Sequence, residues 1–295
     1  ITQCYYHIWK YNINEIKRLR ELGVTKVEIG VQTTDEKVQK LTMRGHTLLD
    51  VKKATKLLKD AGIKVGYHMM PNLPGSTVEL DKKMVGELFY DQGFQPDYLK
   101  IYPCVVIPKT VLSFWYKQGK YKSYDDKTLE EVLTAELKSV PEWCRIDRIA
   151  RDIPSNEIES GSRVSNVRQI LENRFKKDGY KVRDIRAREI KNDEVNLKSL
   201  KFINRKYKAS GGLELFLSYE DPIKDKLIAL LRLRFPSKTF LPELKNSALI
   251  REVHVYGKQV KIGDKAKGNK QHSGFGSKLM KKAESLAKKA GYKKM

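Results

Sequence analysis

The chain has 295 residues and carries 59 Lys and Arg against 36 Asp and Glu, a formal net charge of +23. That length points to two domains or slightly more, with a core that needs no disulfide staples, and the charge points to a polyanionic partner. No apolar run approaches the ~18 residues of a membrane span, the start Ile1-Thr2-Gln3-Cys4-Tyr5-Tyr6 has neither a signal-peptide pattern nor an initiator Met, and Cys4, Cys104 and Cys144 lie too far apart for a disulfide framework or a Cys-x-x-Cys metal pair.

Residues 12–22 place Ile13, Ile16, Leu19 and Leu22 at helical spacing, and Gly23 stops them. Val24 to Val31 reads as a buried strand. Thr47 is the N-cap expected for a helix from Leu48 to Asp60, closed near Gly62. Ile63 to Met70 reads as a strand running into the turn Pro71-Asn72-Leu73-Pro74-Gly75. Val78 to Tyr90 is a helix and Tyr98 to Tyr102 a strand, followed by helices at Thr110–Lys117 and Asp125–Leu137 and a strand at Arg145–Ala150. Repeated β-α units imply a parallel sheet with helices outside, and their number suits part of a barrel.

Ile153 to Ser162 is polar and marks a boundary. Residues 163–208 read as helical, then basic and irregular. From Gly161 to Ser210 there are 15 Lys and Arg against 6 Asp and Glu. Such a stretch attracts phosphate backbones by counterion release, and Tyr180 and Tyr207 among the charges are placed to stack on unpaired bases. A merely thermophilic surface would balance Glu with Lys, and this one does not. After Gly211-Gly212, Leu213–Tyr219, Lys226–Phe235 and Ala248–Tyr256 alternate like antiparallel strands, with a hairpin turn at Glu220-Asp221-Pro222. A helix from about Gly276 to Lys289 ends the pattern.

That helix is entered through Gln271-His272-Ser273-Gly274-Phe275-Gly276, a Q-x-x-G-x-G turn. Glycines there let backbone N–H groups converge on an anion, and the helix start adds positive potential. With the preceding strand Arg251–Tyr256, the turn resembles the acetyl-CoA cradle of the GNAT acetyltransferases. That likeness implies acetyl-CoA contacts from Glu252, Val253, His254 and Val255 on the strand and from Gln271, His272, Ser273, Gly274, Phe275, Gly276, Ser277 and Lys278 at the turn.

The segments Val27–Gln32, Arg44–Thr47, His68–Pro74, Leu99–Pro103, Arg151–Pro154, Phe216–Pro222, Leu230–Arg234 and Arg251–Gly257 together resemble the catalytic subunit of the Elongator complex, in order and over nearly the whole chain. Free-standing archaeal forms exist in that family, and the high Lys and Ile content suits one. The resemblance implies an α/β chain: a partial radical S-adenosylmethionine (β/α) barrel over 1–155, a basic helical linker over 156–210 and a GNAT-like α/β domain over 211–295. It implies carboxymethyl-type modification at carbon 5 of the tRNA wobble uridine, using acetyl-CoA, S-adenosylmethionine and a 4Fe-4S cluster. Gln32 and His68 stand where ribose contacts come from in such barrels, and Arg44 where the methionine carboxylate is held. Arg174, Lys176, Lys177, Lys181, Arg183, Arg186, Arg188 and Lys206 then hold the anticodon stem-loop. The expected location is the cytoplasm, without a membrane and without obligatory Elongator partners for an archaeal form. A lysine acetyltransferase and a catalytically silent tRNA-binding module are the rival readings.

Three departures from the family accompany the likeness. No clustered cysteines are present to ligate iron, so the cluster ligands are expected upstream of this chain. Lys181 to Arg188 has no cysteine where many members hold zinc. The chain ends just after the pyrophosphate helix, so the far side of the acetyl-CoA site is expected beyond Met295. Met69 and Met70 read as core filling, Tyr5, Tyr6 and Trp9 as packing residues, Cys104 and Cys144 as buried apolar cysteines, and Glu28 as facing a basic neighbour.

Overall fold

The structure is a computed structural model, and the residues it describes are 3–5, 12–150, 153–164, 166–191, 199–257 and 274–295. Five strands, β1 (Gln3–Tyr5), β2 (Lys26–Gln32), β3 (Lys64–Met69), β4 (Tyr98–Ile101) and β5 (Arg145–Ile149), form a sheet in that spatial order. Every neighbouring pair is parallel. The crossovers are α1 (Ile13–Glu21), α2 (Glu36–Leu41) with α3 (Leu48–Asp60), α4 (Val78–Tyr90), and α5 (Val111–Lys117) with α6 (Asp126–Lys138).

Side-chain alternation divides this sheet into two unlike faces. Val27, Ile29, Val31, Val65, Tyr67, Met69, Leu99, Ile101, Ile146 and Ile149 enter one apolar core with Ile16, Leu19, Val51, Leu58, Val85, Leu88, Leu133 and Leu137 of the helices. Burial of such side chains contributes about 1.5–3 kcal/mol each. The other face carries Lys26, Glu28, Gly30, Gln32, His68, Tyr98, Lys100, Arg145 and Asp147. Sequential parallel order with helices on one face is the arc of an incomplete (β/α) barrel, its polar face turned to the lumen.

Local chemistry sets the helix starts. Thr47 and Asp50 form a capping box at α3, and Thr77 caps α4 by accepting from the Leu80 N–H. Asp35 caps α2 through the Val38 N–H at 2.8 Å, a short helix that the sequence pattern does not announce.

A second sheet holds β6 (Lys201–Ala209), β7 (Gly212–Asp221), β8 (Lys226–Phe235) and β9 (Leu249–Val255), all antiparallel. Helix α9 (Phe275–Lys289) packs Phe275, Leu279, Ala283 and Ala287 onto Leu215, Leu217, Leu231 and Leu233. Strand β6 corrects the reading of 163–208: it pairs with β7 from Lys201 to Ala209, so the second sheet begins ten residues before the boundary expected at 211. Charge on both sides of the strand hides its alternation. Lys206 and Lys208 are exposed, while Arg205 turns inward to Glu142 and Glu220. Between the sheets, α7 (Val167–Lys177) buries Val167, Leu171 and Phe175 in the first core. The short α8 (Ile185–Arg188) seats Ile185 against Phe216, Leu227 and Leu230 of the second unit.

Candidate functional site

At the C-terminal edge of the parallel sheet, Gln32 ends β2 with φ 72°, a left-handed conformation uncommon for a residue with a side chain. Its carbonyl accepts from the Met70 N–H at 2.7 Å, which locks the turn. Arg44 follows α2 and donates from Nη2 to the Gly30 carbonyl at 2.8 Å. A Cβ on Gly30 would stand 2.9 Å from Gln32 Nε2 and 3.0 Å from Arg44 Nη2. Glycine at this position therefore lets an amide and a guanidinium converge over the strand. Burial draws the Arg44 guanidinium below its ordinary value, and its Nε is buried without a partner among the described residues. A half-buried, half-satisfied guanidinium is a ready carboxylate holder.

His68, beside these on β3, bonds through Nε2 to Glu28 Oε2 at 2.7 Å and meets the Tyr102 ring edge-on at 5.4 Å. Glu28 is 2% exposed. Lys100 reaches its Oε2 at 2.6 Å and Lys26 its Oε1 at 3.2 Å. Burial alone would raise the Glu28 carboxyl, but hydrogen bonds from His68 and Lys100 and the charge of Lys26 overcome it and hold it well below the usual carboxylate range. The sequence reading of Glu28 as facing basic neighbours matches this geometry. Close by, a cavity of about 400 Å³ opens past the ends of β4 and β5, lined by Pro103, Val105, Ile153, Ile158, Ser162 and Arg163. No motif announced it, because its walls come from three separate loops.

The second candidate region lies on β9 and the start of α9. Ser247 bridges Lys294 in parallel, and the Ala248 N–H donates to the Lys294 carbonyl at 2.9 Å. Beyond that point no strand pairs with the outer edge of β9 among the described residues. The free edge of Glu252 to Val255 offers backbone groups to an extended ligand. Val253, His254 and Val255 are exposed. Partial desolvation of its ring draws the His254 imidazole below its ordinary value. Gly274 takes φ 90° as the cap of α9, and a Cβ on Gly276 would lie 3.6 Å from Val255 Cγ2. The helix start therefore abuts the end of this edge. Phe275 is buried in the second core, while Ser277 and Lys278 are exposed. Gln271, His272 and Ser273 lie outside the described residues. The carboxylate of Glu252 is not open to a ligand. It sits between the Tyr98 hydroxyl at 2.5 Å and Arg232 Nε at 2.7 Å, so only its backbone serves the expected role.

Sequence reasoning missed the joint between the two sheets. Asp97, wholly buried, accepts from Arg251 Nη1 and Nη2 at 2.6 Å each, from Lys59 at 3.3 Å and from the Val65 N–H at 2.9 Å. Glu214 accepts from Arg251 and Arg234 at 2.9 Å each, and Arg234 reaches Asp60 at 2.5 Å. Burial would raise the Asp97 carboxyl, but Arg251 and Lys59 hold it well below its ordinary value. Burial and the adjacent Arg251 lower Lys59 to about 8. The pattern Leu230-Leu231-Arg232-Leu233-Arg234 carries the missed signal: two arginines at same-face spacing in an apolar strand need buried acids opposite.

The cations expected to hold RNA separate into two groups. Arg188 is 2% exposed and paired with Glu220 and with Asp225 at 3.1 Å, which leaves it no surface for a phosphate. Arg174 pairs with Glu130 at 3.0 Å, Arg183 with Glu142, and Arg186 donates to the Asp147 carbonyl. Lys176, Lys177, Lys181 and Lys206 are exposed and form no ion pair among the described residues. Lys206 lies on the face of its sheet that carries α9, apart from the α7 lysines. Cys104 and Cys144 are buried and free, and burial pushes the Cys104 thiol up to about 11. Among the described residues no group of His, Cys, Asp or Glu could hold a metal ion, and no helix is long and apolar enough to cross a membrane.

Comparison with known proteins adds to this geometry. Residues 7–85 match the Radical SAM superfamily, and residues 96–177 match the Radical_SAM C-terminal domain. The chain is 43% identical over 288 residues to the tRNA uridine(34) acetyltransferase of Methanocaldococcus jannaschii, an alignment covering 95% of this chain and 53% of that protein. It is 44% identical over 272 residues to Elongator complex protein 3 of Danio rerio, covering 90% of this chain and 50% of the relative. It also superposes on a solved structure of the archaeal Methanocaldococcus infernus Elp3 with an N-terminal deletion, with a TM-score of 0.87 and 42% identity over 95% of this chain and 68% of that one. The chain spans about half the length of the curated relatives it matches.

Proposed function

Since the chain belongs to the Elongator Elp3 family, with its radical SAM domains, we propose that it works in carbon-5 modification of the tRNA wobble uridine, with acetyl-CoA as acyl donor and S-adenosylmethionine as radical source. One observation carries this reading. The polar face of the parallel sheet and the free-edged strand β9 are held in one body by buried ion pairs between the two units, Asp97 with Arg251 and Asp60 with Arg234. A single chain with two candidate ligand surfaces in fixed relation supports the reading, since a two-substrate transfer requires such an arrangement.

The residues fit two of the three implied groups. Arg44, with its unpartnered Nε, suits the carboxylate of S-adenosylmethionine, and Gln32 and His68 supply neighbouring polar contacts. The edge of β9 and the glycine-led start of α9 suit the pantetheine arm and diphosphate of acetyl-CoA. Acetyl-CoA, when bound, supplies the two-carbon unit as a thioester. The iron–sulfur cluster that the family implies does not fit the described residues, which offer no clustered thiolates. Lys176, Lys177 and Lys181 offer unpaired charge to the RNA backbone. A cytoplasmic location, with no obligatory Elongator subunits, belongs to the same reading.

The test is acetyl-CoA consumption by the full-length protein with and without tRNA. The reading expects consumption to depend on tRNA. Equal consumption without tRNA, or with a lysine peptide in its place, favours a protein acetyltransferase, and tRNA binding without any consumption favours a silent binding module.

A further inference from the structure

Tyr98 opens β4 on the polar face of the parallel sheet and is 8% exposed. Lys26 Nζ lies 3.9 Å from its ring centroid, a cation–π contact. Its hydroxyl donates to Glu252 Oε1 at 2.5 Å, and the same carboxylate accepts from Arg232 at 2.7 Å. Side-chain contacts thus run without a gap from His68 through Glu28, Lys26 and Tyr98 to Glu252. One end of that line is the candidate S-adenosylmethionine surface and the other is the candidate acetyl-CoA strand.

The far end is where β9 needs support. Leu249 and Arg251 are buried, whereas Val253, His254 and Val255 are exposed. The strand is paired with β8 on one side only past Ala248. Among the described residues, Glu252 is the last in β9 whose side chain hydrogen-bonds the parallel-sheet unit. The next such contact comes at Tyr256, whose hydroxyl stands 3.4 Å from Arg145. An edge strand held on one side opens easily, unless a contact from outside its sheet pins it.

We propose that Tyr98 is a positioning residue: acting through Glu252, it pins the exposed end of β9 so that an acyl group carried on that strand faces the polar surface of the parallel sheet. This rests on the acetyl-CoA reading of β9, but the pin itself is a statement about this chain alone.

The experiment compares the full-length protein with Tyr98→Phe, Glu252→Gln and the double variant. Tyr98→Phe keeps the ring under Lys26 and removes only the hydroxyl. Amide hydrogen exchange at Glu252 to Val255 is the readout independent of activity. The expected result is faster exchange there in Tyr98→Phe, with Val65, Ile101 and Leu231 unchanged. The acetyl-CoA dissociation constant should stay within about twofold, while acetyl transfer at saturating acetyl-CoA falls by roughly tenfold to a hundredfold, since misplacement by ~1 Å costs on the order of 10²-fold. The double variant should be no worse than the more affected single one. Unchanged exchange, or exchange raised equally through both units, overturns the proposal. A wild-type protein that transfers nothing would sink the acetyl-CoA reading instead, with the exchange measurement still deciding whether Tyr98 pins the strand.

Discussion

Replacing Asp97 by Asn tests the ionic joint on which the two-surface arrangement depends. Asp97 is wholly buried and is held by Arg251 twice at 2.6 Å, by Lys59 at 3.3 Å and by the Val65 N–H at 2.9 Å. Asn has nearly the same shape and keeps one acceptor oxygen. It leaves Arg251 and Lys59 sharing Glu214, which lies 2.9 Å from one and 3.8 Å from the other. Removing one partner of a buried ion pair costs about 3–5 kcal/mol because the remaining charge is stranded. At about 2–4 °C per kcal/mol for domains of ~150–250 residues, Tm should fall by about 6–20 °C. The pH dependence has a definite sign. The folded Asp97 carboxyl lies well below its ordinary value of 3.8. Its contribution is therefore complete above the unfolded value and lost as pH falls through the lower folded one. The gap between wild type and variant should be constant through the neutral range and close in acid. Thermal unfolding followed by tryptophan fluorescence, repeated for Arg251→Met and for the double variant, measures both the loss and the coupling. A loss under ~0.5 kcal/mol, or single effects that simply add, would refute the reasoning.

Four further outcomes follow from the same geometry. Glu136 is wholly buried in α6, its two oxygens lack partners among the described residues, and burial and the nearby Asp81 raise its carboxyl well above 4.5. Wild-type stability should therefore decline as pH rises above about 4.5, and Glu136→Gln should flatten that profile and gain at least ~1 kcal/mol at pH 7. Gly30→Ala should drive Gln32 and Arg44 off their present positions and weaken S-adenosylmethionine binding by roughly tenfold or more, one charge-assisted hydrogen bond's worth, with circular dichroism unchanged. For RNA, replacing Lys176, Lys177 and Lys181 by Gln should lower the salt slope of tRNA binding by about one per lost phosphate contact and leave Tm alone. Arg188→Met should do the reverse, lowering Tm while the slope persists, because Arg188 is spent on Glu220 and Asp225.

Elements that bury a single regular face were legible in the sequence. Val78–Tyr90 buries Asp81, Met84, Val85 and Leu88 at helical spacing, and the strands from Lys64 and Tyr98 send their apolar Val65, Tyr67, Met69, Leu99 and Ile101 to one core. Strand β6 was not, because Arg205 is charged yet points inward, so the apolar alternation that marks a half-buried strand is missing. Helix α2 was not, because only Val38 and Gln39 among its six residues are buried. Gln32 and Arg44 were named one by one through the resemblance of their segments to radical S-adenosylmethionine barrels, but their convergence over Gly30 is visible only in the fold. What joins them to β9 was not legible either. Asp97, Glu214, Arg234 and Arg251 are far apart in the chain, and no local pattern says which buried acid meets which arginine. Arg188 shows the same limit from the other side: a basic run shows where charge is dense but not which charges are already neutralised.

The account is tested most directly by following the acetyl carbons. The full-length protein is incubated anaerobically with acetyl-CoA labelled in the acetyl group, S-adenosylmethionine, a reductant and tRNA, and the digested nucleosides are then separated. The account predicts label covalently held on carbon 5 of the wobble uridine. Label recovered only as free acetate, or on lysine when a peptide is supplied, would contradict it.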